Sequence, residues 1–194
     1  MLSFDTQGSP RILVFAGPNG SGKSTVTRNL PLVGNYINAD DIKRTFGLSD
    51  LEAAQEAEAL REFHLEHGLD FTFETVLSTE RNLNLLRRAK SAGYQIAAIF
   101  VLTNNPDINV QRVHIRSAAG GHDVPTEKII ARYHRSLENI AELARIADKT
   151  TIVDNSADEP VVICQVVQQS ASIFPSELWS KEAILNLLTH TNSR

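Results

Sequence analysis

The sequence predicts an α/β fold, a three-layer sandwich in which helices cover both faces of a mostly parallel sheet of five or six strands. Two observations support this prediction. Short apolar runs with the length of buried strands alternate with longer segments whose apolar residues recur at the helical period. In addition, the first apolar run stops at a glycine-rich turn that leads into a helical segment. Strands and helices that alternate in this way form parallel sheets with helices on both faces.

The first half of the chain alternates between strands and helices. Its predicted strands are 11–16, 36–38, 71–74 and 94–102, and the last of these has the length and β-branched content of a central strand. Predicted helices at 50–68 and 80–92 separate them. The first helix ends at a glycine and the second just before one, and glycine is a common helix stop signal.

The second half is predicted to contain three more helices and two strands. A helix begins at Pro106, because proline at the first helical position loses no needed N–H donor, and it stops near Gly120. Another begins at Pro125, and its apolar stripe keeps the 3.6-residue period at Ile130, Tyr133, Leu137, Ile140 and Ala144. A strand at 150–153 and an edge strand at 161–167 then precede a closing helix at 176–189.

Length and composition bound the class of protein. A chain of 194 residues with 42% hydrophobic content is expected to form one domain, 1–194, with a lid around 112–135 and a C-terminal helical extension at 170–194. The net charge of −4 argues against a broad basic surface, so no nucleic-acid partner is expected. Cys164 is the single cysteine, which excludes an intramolecular disulfide and predicts a buried strand thiol.

No membrane association is expected. The longest apolar run, 96–102, is too short to cross a bilayer. The first ten residues lack the charged start and apolar run of a secretory signal. We therefore expect a cytoplasmic protein.

The segment 17–24 matches the pattern G-x-x-x-x-G-K-[ST] and lies between a predicted strand and a predicted helix, which is the context that the P-loop motif requires. Its backbone N–H groups are expected to surround phosphate oxygens, with Lys23 at the β- and γ-phosphates and Ser24 on Mg²⁺. The expected nucleotide-binding residues are Gly17, Pro18, Asn19, Gly20, Ser21, Gly22, Lys23, Ser24 and Thr25. The fold class is therefore that of the P-loop NTPases and kinases. ATP is favoured over GTP, because the chain lacks the guanine-reading Asn-Lys-x-Asp tetrad.

Two acidic positions follow predicted strands and should lie at the carboxyl edge of the sheet, where open α/β folds bind ligands. Asp40 is expected to accept the proton of an attacking hydroxyl or to bind Mg²⁺ through water. Asp41, beside it, is more typical of a helix cap. Glu74 is expected either to contact the acceptor or to form a structural ion pair.

Four arginines flank a glycine-containing segment. Arg112 and Arg116 lie one helical turn apart before it, and Arg132 and Arg135 follow it. Such a pattern suits a lid that neutralises phosphate charge, although a solvated surface is an equal alternative for any single arginine. We assign Arg112 and Arg116 to catalysis, and Arg116 and Arg132 to nucleotide binding. The pair His64 and His67 is interpreted as helix packing rather than as a metal site.

The chain resembles the zeta toxin family of P-loop kinases over residues 11–156. The matching motifs are Gly17 to Thr25, Ile37 to Lys43, Phe73 to Ser78 and Gly121 to Pro125. The resemblance implies a kinase that uses ATP and Mg²⁺ to phosphorylate a sugar hydroxyl of UDP-N-acetylglucosamine, with an antitoxin protein as partner. It also implies that Asp40 is the general base, that Arg112 or Arg116 binds phosphate, and that the acceptor contacts Asp40, Glu74, Thr75 and His122. His122 stands where longer toxins have an arginine, and Arg132 and Arg135 are candidates to replace that arginine.

Two alternatives remain open from the residues alone. The acceptor could be another small hydroxyl compound, such as an antibiotic, a sugar acid or a nucleoside, because a P-loop carries no information about the hydroxyl. The chain could also be a nucleotide-dependent switch or regulatory ATPase. Such proteins usually place an acidic Mg²⁺ ligand after an apolar strand, whereas the most apolar strand here ends at Thr103.

Overall fold

The computed structural model describes residues 8–28, 30–118 and 124–189. In these ranges seven strands form one sheet: β1 (Arg11–Ala16), β2 (Asn35–Ile37), β3 (Phe71–Thr75), β4 (Gln95–Leu102), β5 (Lys149–Asp154), β6 (Val161–Val167) and β7 (Ser170–Ile173). The strand order is β2-β3-β1-β4-β5-β6-β7. The first five strands are parallel, while β6 and β7 continue the sheet antiparallel. The predicted α/β class and mostly parallel sheet are confirmed.

Helices cover the sheet on both faces. They are α1 (Lys23–Thr27), α2 (Ala39–Phe46), α3 (Asp50–Glu66), α4 (Glu80–Ser91), α5 (Pro106–Ala118), α6 (Thr126–Glu138), α7 (Ile140–Ile146) and α8 (Lys181–Thr189). Alternate residues of β1 divide between two hydrophobic clusters. Ile12 and Val14 pack with residues of α3, α4, α7 and α8, whereas Leu13 and Phe15 pack on the other face with Val26 of α1. A strand buried on both faces explains the continuous apolar run at 12–16.

The C-terminal part differs from the prediction. The sheet has seven strands rather than five or six, because β7 pairs with the far edge of β6. The turn that joins them holds Gln168 at φ 47° and Gln169 at φ 67°. Hairpin turns with positive φ normally use Gly, Asn or Asp, so two glutamines carry no turn signal in the sequence. The extension at 170–194 therefore begins with a strand, and α8 starts at Lys181 rather than at residue 176.

The predicted long helix after Pro125 is two helices, α6 and α7, which meet at Asn139. The side chain of Asn139 is buried, and its Nδ2 donates to the carbonyl oxygen of Leu77 at 2.8 Å. The buried stripe of α6 also begins one residue earlier than predicted. Ile129 is fully buried, and Ile130 is only partly so.

Several smaller predictions have clear outcomes. Cys164 is buried in β6, as expected, and burial raises the pKa of its thiol. His64 is buried and contacts Asn35 and the carbonyl oxygen of Leu60, which confirms helix packing, whereas His67 is exposed at the end of α3. No helix in the described ranges is long and apolar enough to span a membrane.

Candidate active site

The loop between β1 and α1 needs glycine at specific points. Gly20 has φ 75° and Gly22 has φ 84°, a region that side chains rarely adopt. A Cβ atom on Gly20 would lie 2.4 Å from the carbonyl oxygen of Asn109, and one on Gly22 would lie 2.1 Å from Nδ2 of Asn155. The loop is therefore held closely against residues that come much later in the chain.

Two buried asparagines support this P-loop. Asn109 of α5 donates from Nδ2 to the carbonyl oxygen of Asn19 at 2.6 Å, and its Oδ1 accepts from the Thr103 hydroxyl. Asn155, which follows β5, donates from Nδ2 to the carbonyl oxygen of Ser21 at 2.8 Å. Neither asparagine is among the residues that the sequence predicts for the site. Thr103 and Asn155 follow β4 and β5, so the strand-end rule that selected Asp40 would also have selected them.

Asn109→Ala is expected to lower stability and nucleotide affinity together. The substitution removes the donor to the Asn19 carbonyl and one of the two acceptors of the Thr103 hydroxyl, whose other acceptor is the carbonyl oxygen of Asn105 at 3.2 Å. Losing these contacts should cost about 1–3 kcal/mol. A loop that is less often in its binding conformation should weaken ATP binding about tenfold. Thermal unfolding and ATP titration measure the two effects, with exposed Asn186→Ala as the matched control. Unchanged ATP affinity in Asn109→Ala would contradict a role for this contact in nucleotide binding.

A cavity of about 550 Å³ lies over the P-loop at the carboxyl edge of the sheet. It brings together eleven of the residues that the sequence selected: Asn19, Gly20, Gly22, Lys23, Ser24, Thr25, Asp40, Glu74, Thr75, Arg112 and Arg116. These residues come from the ends of β1 and β3 and from α1, α2 and α5. The cavity therefore joins the P-loop with both predicted carboxylates.

Three cations border the cavity. Lys23 donates from Nζ to the carbonyl oxygens of Gly17 at 2.7 Å and Pro18 at 3.2 Å. An ammonium group has three donors, so one is left for a ligand. The pKa of Lys23 is lowered to about 8, mainly by burial, with Arg116 acting in the same direction and with Glu74 and Asp40 opposing it. Arg112 donates to the carbonyl oxygen of Asn155 at 2.8 Å, while Arg116 is exposed.

The two carboxylates lie in the same cavity and have different surroundings. Asp40 is exposed in the first turn of α2, where the cap is Asn38 rather than the Asp41 that the sequence suggested. Asp41 instead forms an ion pair with Arg44. Glu74 is partly buried and accepts a hydrogen bond from the Tyr36 hydroxyl. Within the described residues Glu74 forms no ion pair.

The other selected residues that the structure describes do not line the cavity. Gly17, Pro18 and Ser21 form the buried body of the loop, and the Ser21 hydroxyl has no hydrogen-bond partner within the described residues. Arg132 lies beside the loop, with one guanidinium nitrogen 3.5 Å from Oδ1 of Asn19. Arg135 is exposed, and His122 lies outside the described residues.

The oxygen atoms at the cavity suit a metal ion that is bound partly by the protein and partly by a ligand. No group of three or more His, Cys, Asp or Glu side chains that could hold a metal occurs in 8–28, 30–118 or 124–189. Ser24 and Asp40 nevertheless border the same cavity. Mg²⁺ in phosphate sites is typically bound by one or two protein oxygens together with phosphate and water, so this set is sufficient for it.

Comparisons with solved structures agree with the fold. The structure of AvrRxo1-ORF1:-ORF2 with ATP is similar at a TM-score of 0.71 and 14% identity, over 93% of this chain and 64% of that one. This chain thus spans less than two thirds of that protein. The structure from the PezAT chromosomal toxin-antitoxin system of Streptococcus pneumoniae matches at a TM-score of 0.52 and 19% identity, over 80% of this chain and 73% of that one. At these identities the similarity shows the fold alone.

Comparisons of sequence identify the family. An uncharacterized protein of Haemophilus influenzae is 28% identical over 129 residues, which cover 63% of this chain and 92% of that protein. The sequence model of the zeta toxin family matches residues 2–165. This range contains the P-loop, both carboxylates and all four arginines. Together with the fold, it supports a nucleotide-dependent kinase. The chain belongs to the zeta toxin family.

Proposed function

We propose that the protein is an ATP- and Mg²⁺-dependent kinase that transfers the γ-phosphoryl group to a hydroxyl of a small molecule. The proposal rests on one observation: the P-loop, three cations and two carboxylates all border the same cavity. A kinase needs both parts, one for the triphosphate and one for the acceptor. A nucleotide switch would need only the first.

The P-loop end suits a triphosphate. Lys23, Arg112 and Arg116 provide positive charge, and backbone N–H groups of the loop provide neutral donors. Ser24, together with phosphate and water oxygens, would hold Mg²⁺, which supplies charge neutralisation at the phosphates.

The transfer step requires one proton acceptor. The acceptor hydroxyl gives its proton to the Asp40 carboxylate while its oxygen bonds to the γ-phosphorus, and the bond from that phosphorus to ADP breaks. Lys23, Arg112 and Arg116 stabilise the charge on the transferred group and on ADP. Because there is little covalent chemistry for the protein to perform, positioning and charge should supply most of the rate.

For the acceptor we propose a nucleotide sugar such as UDP-N-acetylglucosamine, with Glu74 and Thr75 contacting it. Membership of the zeta toxin family supports this choice, through the resemblance of the motifs around Asp40 and Glu74. The alternative acceptors are an antibiotic, a sugar acid or a nucleoside. Each has hydroxyl groups that Asp40 and Glu74 could bind.

We also propose that an antitoxin protein is the partner of this chain in the cytoplasm. The similar PezAT structure comes from a toxin-antitoxin system, which supports the proposal. The lid at 112–135 and the single domain at 1–194 remain predictions. The placement of Arg112, Arg116 and Arg132 beside the P-loop is consistent with such a lid.

The proposed function is tested by transfer of labelled γ-phosphate from ATP, with Mg²⁺, to UDP-N-acetylglucosamine. The expected product is a phosphorylated nucleotide sugar, and ATP consumption should rise at least tenfold above the rate with water alone. Transfer to another hydroxyl compound in a parallel panel would keep the kinase and replace the acceptor. Slow hydrolysis that no acceptor accelerates would instead indicate a switch or ATPase.

A further inference from the structure

The side-chain amide of Asn38 contacts a group beside each of the two carboxylates. Asn38 lies between β2 and α2, and its Oδ1 accepts from the backbone N–H of Asp40 at 2.8 Å and of Asp41 at 3.4 Å. Its Nδ2 donates to the Tyr36 hydroxyl oxygen at 3.0 Å. Because the oxygen must face the two N–H groups, the orientation of the amide is determined by its partners.

The Tyr36 hydroxyl connects the oriented amide to Glu74 through a second hydrogen bond. Its oxygen accepts from Asn38, so its one hydrogen is directed to Oε1 of Glu74. Burial and the hydrogen bond to Glu74 raise the pKa of Tyr36, so the phenol remains protonated and continues to donate. The second carboxylate oxygen, Oε2, has no hydrogen bond to any residue that the structure describes.

Strand register and an extended backbone bring these three side chains together. Tyr36 pairs with Thr72, and Glu74, two positions further along β3, points to the same side as Thr72. Asn38 follows β2 and keeps an extended backbone, with φ −130° and ψ 123°, so it shares the side of Tyr36, two positions earlier. A continuous series of hydrogen bonds thus connects the backbone of α2 to Glu74 through Asn38 and Tyr36.

We propose that Asn38 is a positioning residue that couples the placement of Asp40 to that of Glu74 through Tyr36, and so presets the acceptor site. The proposal rests on the kinase function proposed above. It assigns Asn38 more than helix capping, because a cap needs only the amide oxygen. The amide nitrogen is what extends the link to Glu74.

Variants can separate the role of the amide oxygen, which caps α2, from that of the amide nitrogen, which donates to Tyr36. Asn38→Asp and Asn38→Ser each keep an oxygen that caps α2, so the fold should be retained. Both remove the N–H donor to Tyr36, and the aspartate also competes with Glu74 for the Tyr36 hydrogen. Asp41→Asn, which changes charge in the same helical turn and lies outside the cavity, is the control.

The link can be measured without any acceptor. The chain has three tyrosines, so protein labelled with ¹³C at the tyrosine ring carbon that bears the hydroxyl should give three resonances, and Tyr36→Phe identifies one of them. Glu74→Gln, Asn38→Asp and Asn38→Ser are expected to shift the Tyr36 resonance and to leave the other two unchanged. A Tyr36 resonance that ignores both Asn38 variants would overturn the proposal.

Kinetics then test the role in the reaction. With UDP-N-acetylglucosamine, Asn38→Ser and Tyr36→Phe should each raise the acceptor KM about tenfold, a loss of about 1.4 kcal/mol. The double variant should lose little more, because both break one chain of contacts. ATP affinity and Tm should stay unchanged, whereas a merely structural role would lower Tm. Wild-type protein that transfers phosphate to no acceptor in the panel would refute the proposed function, and the tyrosine resonances would still decide whether the link exists.

Discussion

Asp40→Asn is expected to slow phosphoryl transfer by about 10²–10⁴-fold, the usual contribution of a general base. The amide has the shape of the carboxylate but cannot accept the hydroxyl proton. Asp40 is exposed, and its contact with Asn38 is made by its backbone N–H, which the substitution keeps. Nucleotide affinity should therefore change less than threefold, and Tm should change little. Rapid-quench transfer assays and ATP titration provide the two measurements.

The neighbouring residue provides the control for charge. Asp41→Asn removes the same charge from the same helical turn, but Asp41 pairs with Arg44 and does not border the cavity. Its rate should stay within about threefold of wild type, since an exposed ion pair contributes only about 0–1 kcal/mol. If the two variants lost the same activity, a general effect of charge near α2 would replace the role of Asp40 as the base.

Lys23→Ala is expected to impair both binding and transfer. Loss of a charged hydrogen bond to phosphate, about 1.5–3 kcal/mol, should weaken ATP binding roughly 10–100-fold. Loss of charge stabilisation during transfer should lower kcat by a further 10²–10³-fold, on the order seen for a single stabilising donor. Stability should fall little, because burial disfavours the charged amine. Titration of ATP and single-turnover transfer separate the two losses.

The pKa of Lys23 gives this prediction a pH dependence. With the pKa lowered to about 8, the amine is charged below that pH and loses its proton as pH rises through it. Phosphate favours the charged form, so ATP affinity should fall above about pH 8, and binding there should take up a proton. Calorimetry in buffers of different ionisation enthalpy measures the uptake. Lys23→Ala should abolish it, and an unchanged uptake in that variant would assign the proton to another group.

Local patterns were enough to predict the parts of the site that lie close together in the chain. The P-loop is contiguous, and its glycines, lysine and serine have roles that follow from their spacing alone. Asp40 and Glu74 were found because the ends of parallel strands meet at one sheet edge, whatever the strand order. The structure confirms that edge by placing both carboxylates in the cavity above the P-loop.

Predictions from local patterns were wrong at two positions, the β6–β7 turn and the break between α6 and α7. The β6–β7 turn uses two glutamines at positive φ, so its hairpin could not be predicted from turn residues. The break between α6 and α7 depends on Asn139, which donates to a carbonyl 62 positions earlier in the chain. Helical periodicity continues through such a break and does not reveal it.

The sequence by itself therefore determined the fold class, the P-loop and the two acidic positions, because each depends on spacing within a few residues or on a strand-end rule. Only the tertiary structure decided which residues support them. Asn109 contacts a loop residue 90 positions away, Asn155 one 134 positions away, and Tyr36 reaches Glu74 across 38. These contacts depend on strand order and register, which bring distant polar groups into hydrogen-bonding range, and no local pattern of residues specifies them.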